Sequence, residues 1–100
     1  MSRFRFIIRP GARRQIAAAD RWWRENRESS DAIIEELDTL FDHLDTNPYL
    51  GQAAENARRP GLRRWYLHRI GYHLYYRVDE RRAEIAVTAF RHARRRPIKM

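Results

Sequence analysis

One hundred residues suit a single domain with a modest core, and a composition of 43% hydrophobic and 34% charged residues excludes a chain disordered throughout. The formal charge of +8 rests almost wholly on arginine, whose planar fork of donors suits phosphate and carboxylate partners. The absence of cysteine excludes a disulfide scaffold, a thiol nucleophile and any cysteine-ligated zinc or iron–sulfur centre.

The chain opens on Met1-Ser2-Arg3-Phe4-Arg5-Phe6, which lacks the apolar h-region of a signal peptide, and no run approaches the roughly 20 apolar residues of a membrane span. The expected location is the cytoplasm. Residues 3–9 alternate, with Phe4, Phe6 and Ile8 on one side and Arg3, Arg5 and Arg9 on the other, the pattern of a half-buried strand. Pro10-Gly11 stops it, and proline is comfortable where a helix begins. Residues 12–27 read as a helix whose inner face carries Ala12, Ile16, Ala19 and Trp23, with Trp22 at the margin of that face. Ser29-Ser30-Asp31 breaks the pattern and offers N-cap residues for a second helix. There Ile33, Leu37, Leu40, Phe41 and Leu44 form an apolar stripe, while Glu35, Glu36, Asp38, Asp42 and Asp45 are expected to face water. Asn47-Pro48 ends this helix. The short link predicts an antiparallel helical hairpin.

Residues 49–61 show no periodicity and read as a surface loop. Three strand patterns follow, separated by turns at Ile70-Gly71 and at residues 79–82. In the middle strand Tyr72, Leu74, Tyr76 and Val78 share one face, and His73, Tyr75 and Arg77 the other. In the last strand Ile85, Val87 and Ala89 are the expected core side. Tyr66 and Tyr75 are the aromatic residues expected to be exposed. The fold class expected is α+β: one four-stranded antiparallel sheet with the helical hairpin on one face, the other face left open, concave and basic. The whole chain reads as one domain, with residues 91–100 as a basic tail.

Charge divides the chain. Residues 1–57 carry eight arginines against ten acids, a net of −2, whereas residues 58–100 carry thirteen bases against three acids, a net of +10. Such asymmetry points the second half at an acidic or polyanionic partner.

The order strand, two helices, three strands resembles the RelE/ParE superfamily of bacterial type II toxins. Individual segments carry the likeness: Asn47-Pro48-Tyr49-Leu50-Gly51 after the second helix, Leu62-Arg63-Arg64 on the next strand, Tyr72-His73-Leu74-Tyr75-Tyr76-Arg77-Val78 in the hairpin, and Ala89-Phe90-Arg91-His92-Ala93-Arg94 at the end. The likeness is best to the ParE branch. It implies a cytoplasmic toxin that inhibits DNA gyrase and is neutralised by a cognate ParD-like antitoxin in a hetero-oligomer. The resemblance equally admits a RelE-like endonuclease that cuts messenger RNA on the ribosome. Charge alone would also allow a basic nucleic-acid-binding module with no enzymatic role, although no helix-turn-helix, zinc finger or RNP pattern is present.

Under the gyrase reading, Arg63, Arg64, Arg77, Arg91, Arg94 and Arg95 form the basic surface that meets target or antitoxin. Under the ribonuclease reading, Arg63, Arg77, His92 and Arg94 supply charge and one titrating group. However, no tyrosine follows Tyr76, and Arg91 occupies the usual late histidine position with His92 one place on, which on a strand reverses the side chain. No histidine pair has metal-ligand spacing, so neither metal nor cofactor is expected.

Overall fold

The computed structural model describes residues 3–54 and 60–94. Strand β1 (Arg5–Ile8) leads into α1 (Pro10–Asn26), which begins on Pro10 as expected for a residue that has no N–H to lose there. A short link leads to α2 (Ala32–Thr46). Asp31 stands at the N-cap of α2, but its side chain makes no cap hydrogen bond; its carboxylate lies 3.1 Å from the Arg24 guanidinium and so ties the two helices together. Then come β2 (Gln52–Ala53), β3 (Arg63–Leu67), β4 (Tyr72–Asp79) and β5 (Glu84–His92).

The expected four-stranded antiparallel sheet is corrected on two counts. The sheet has five strands in the order β1-β5-β4-β3-β2, and β1 runs parallel to β5, pairing Arg5 with Glu84 and Ile8 with Val87. The helical hairpin carries the chain from β1 to β2 at the far edge of the sheet, and β3 and β4 bring it back to β5 beside β1. The fifth strand is the two-residue β2, which lies in the stretch read as loop and pairs antiparallel with Arg63 and Arg64.

Both helices press their stripes on one sheet face. Ala12 and Ala19 of α1 and Ile33, Leu37, Leu40 and Leu44 of α2 join Leu67, Leu74, Tyr76, Ile85, Val87 and Phe90 in one buried cluster. Ile16, Trp23 and Phe41 pack at its edge, as their spacing predicts. Asp45 departs from expectation. It accepts hydrogen bonds from the Arg3 and Phe4 N–H groups at 2.8–3.0 Å, which anchors the chain's first strand to the last turn of α2.

A bulge on β5 decides which residues face where. Tyr75 lies opposite Ala89 but Tyr76 lies opposite Val87, so Thr88 has no partner on β4. Alternation is therefore broken at Thr88. Ala89 does not continue the core side of Ile85 and Val87; it turns to the other face, and Phe90 takes the core position, stacked on Tyr72 at 4.7 Å. Beyond the end of β1, the Phe90 N–H finds the Gln15 side-chain carbonyl at 2.8 Å instead of a strand.

Candidate functional site

The sheet face away from the helices is not bare. Leu62 and Ala54 pack over Tyr75 and Ala89, and Tyr75 is 2% exposed rather than open to solvent. This small second core divides the face into two zones.

The first zone is a row running across three strands. Tyr66 on β3 lies opposite His73 on β4, which lies opposite Arg91 on β5. Arg64, two residues before Tyr66, points to the same side and lines a depression with Tyr66, His68 and His73. The Tyr66 ring sits 5.0 Å from the His73 ring and meets His68 edge-on at 4.5 Å. His73 Nδ1 and Arg91 Nε are buried without hydrogen-bond partners among the described residues. Burial, reinforced by the charge of Arg64, holds the His73 pKa below the ordinary imidazole value. The same two causes favour the neutral form of the His73 imidazole. Flanked by two guanidinium groups, it lies on a ledge suited to phosphate or carboxylate oxygens.

The second zone surrounds Arg77. It is a shallow depression shared with Ile7, Ala86 and Thr88, and Asp79, Glu80 and Glu84 also line it. Charge there is mixed; Glu84 is already paired with Arg5.

The sequence-derived residues are thus dispersed. Arg64, Arg77 and Arg91 reach the open face. Arg63 lies opposite Tyr76 on the other side, donates to the Gly51 carbonyl at 2.7 Å and lies 4.9 Å over the Tyr49 ring, so it braces the link after α2. His92 lies opposite Tyr72 on the helix side, and its Nδ1 accepts the Arg94 N–H at 3.2 Å. Arg94 is exposed just past β5. Arg95 lies outside the described residues. The set Arg63, Arg77, His92 and Arg94 is not brought together: Arg77 and His92 lie on opposite faces. Sequence reading missed His73 and Tyr66 as members of the site. The alternation of β4 places His73 beside Arg77's face, but its partnership with Arg91 depends on the bulge.

Residues 6–97 match the family model described as the ParE toxin of the type II toxin–antitoxin system parDE. The chain belongs to the ParE toxin family. No protein of curated function matches the sequence. Among solved structures, the fold is similar to that of the chromosomal ParDE toxin–antitoxin system from P. aeruginosa, with a TM-score of 0.69 at 15% identity over 90% of this chain and 96% of that one. It is also similar to the intact E. coli RelBE toxin–antitoxin complex, at TM-score 0.65 and 16% identity over 92% and 99%. The RelBE2 complex from Mycobacterium tuberculosis gives 0.64 and 17% over the same shares. At these identities the likeness is one of fold. In this ParE-family chain no helix among the described residues is long and apolar enough to cross a membrane.

Proposed function

We propose that this chain inhibits bacterial growth by poisoning DNA gyrase, and that a cognate ParD-like antitoxin holds it inactive in a hetero-oligomer. The observation that carries this reading is the match of residues 6–97 to the ParE toxin model. The dispersal of Arg63, Arg77, His92 and Arg94 over two faces supports it against a ribonuclease built from those residues. The antitoxin is supported by the likeness to toxin–antitoxin complexes and by the net +10 of residues 58–100, which suits an acidic segment.

A ribonuclease reading is favoured by one observation, the placing of His73 between Arg64 and Arg91 with its Nδ1 left without a hydrogen-bond partner among the described residues. A neutral imidazole can take a proton from a 2′-hydroxyl while arginines stabilise the phosphate charge. One experiment separates the two. The chain is induced without antitoxin in bacteria, and amino-acid incorporation is followed over the first minutes alongside plasmid supercoiling. The gyrase reading expects continued protein synthesis, filamentation and loss of supercoiling. Immediate arrest of synthesis with supercoiling intact would sink it in favour of RNA cleavage.

A further inference from the structure

A groove of about 790 Å³ lies between the C-terminal end of α1 and the turn joining β3 to β4, where His68 borders it. Trp22, Trp23 and Tyr72 form its aromatic surface. Trp22 is 45% exposed and meets Trp23 edge-on at 6.1 Å. The Arg27 guanidinium lies over both indoles, 5.2 and 5.7 Å from the ring centres.

The polar groups offered here are donors. Trp23 Nε1 is buried and has no acceptor among the described residues. His92 uses Nδ1 to accept the Arg94 N–H, which leaves Nε2 as the ring nitrogen able to donate. Arg27 and Arg94 form no ion pair among the described residues. Arg69 at the rim is already engaged by Glu35 and Glu36, at 3.2 and 3.4 Å. Among the described residues no carboxylate lines the groove, in contrast to the depression around Arg77.

An occupant must therefore bring a flat apolar face and several acceptor oxygens within one compact molecule. A glutamate or aspartate side chain supplies two oxygens and no flat face. A nucleotide supplies both: a ring to stack on an exposed indole and phosphate oxygens for a cluster of donors. The volume falls in the range of small-molecule sites, roughly 300–1,000 Å³. We propose that this groove binds a free purine nucleoside phosphate, its base stacked on Trp22 and its phosphate taken by Arg94 and Arg27. The groove shares His68 with the depression on the open sheet face, and the proposal does not depend on the gyrase reading.

The test is isothermal titration of the purified full-length chain with AMP at physiological salt. Saturable binding is expected, weakened about tenfold or more by Trp22→Ala and by Arg94→Gln, with Trp22→Phe retaining most of it. Melting temperatures of the three variants verify that each is folded. Adenosine and inorganic phosphate, titrated separately, should each bind at least about tenfold more weakly than AMP. Equal binding of inorganic phosphate and AMP would reduce the site to a charge effect and overturn the proposal. So would binding of a polyglutamate peptide, or of a 5′-phosphorylated single-stranded oligonucleotide, when AMP does not bind. Absence of saturable heat with AMP overturns it directly.

Discussion

Gly51 is fitted to its place by what touches it. A Cβ there would stand 2.7 Å from the Tyr76 hydroxyl and 2.8 Å from the Arg64 carbonyl. The same hydroxyl accepts the Gly51 N–H at 2.7 Å, and Tyr76 is otherwise fully buried. The Asn-Pro-x-Leu-Gly segment thus ends in glycine because a core tyrosine reaches up to hold the backbone. Gly51→Ala is expected to lower stability by about 1–3 kcal/mol through overpacking. Tyr76→Phe should cost about 1 kcal/mol, since the Gly51 N–H loses its buried acceptor. In a urea-denaturation cycle, the double variant should lose less than the sum, because removing the hydroxyl relieves part of the clash. Asp45 provides a second test, readable against pH. Its pKa is lowered chiefly by the hydrogen bonds donated by the Arg3 and Phe4 N–H groups. A carboxyl depressed in the folded state binds fewer protons folded than unfolded, so its stabilising effect is present above the ordinary aspartate value of about 3.9 and fades as pH falls below it. Asp45→Asn should lower the melting temperature at pH 7. The gap from the parent chain should narrow on acidification below about pH 4. A constant gap would mean that the carboxylate's charge has no part in anchoring β1.

Among the elements, the two helices were the most legible. Each carries a stripe at helical spacing, and Pro10 and Asn47-Pro48 mark an end of each; α1 and α2 form within a residue or two of those signals. The strands were legible one by one, but their partners were not. Parallel pairing of β1 with β5 joins segments nearly eighty residues apart, and nothing in the alternation of either strand states its direction. The two-residue β2 is too short to show a period. The Thr88 bulge has no glycine or proline to announce it; Thr88 Oγ1 donates to the Tyr75 carbonyl at 3.3 Å across the irregular step. That one residue moves Ala89 out of the core, brings Phe90 in, sets Arg91 against His73 and sends His92 to the helix side. It explains why the pairing of Arg91 with His73 could not be read from the alternation of β5. Phe90→Ala is expected to cost about 3–5 kcal/mol in denaturant unfolding, with Ala89→Ser far milder. A reversed order of those two effects would contradict the register after the bulge.

At the scale of the whole molecule, charge asymmetry is the property with the widest reach. The acidic α2 and the basic sheet leave the protein electrostatically two-sided, so association with an acidic partner should weaken as salt rises, mostly through slower encounter. Under the gyrase reading, Arg77→Glu with Arg94→Glu is expected to abolish growth arrest while the far-ultraviolet circular dichroism and the melting transition persist. Full toxicity in a folded double variant would remove both Arg77 and Arg94 from the mechanism. The sheet order carries a further consequence. β5 stands between β1 and β4, so the latest-made of the five strands is an interior one, and the first strand has nowhere to dock until it emerges. A nascent chain halted before Glu84 holds two helices and a hairpin but no seat for β1. A nonsense or frameshift lesion upstream of Glu84 therefore leaves β1 without its partner strand, and the five-stranded sheet can close only after β5 has been made.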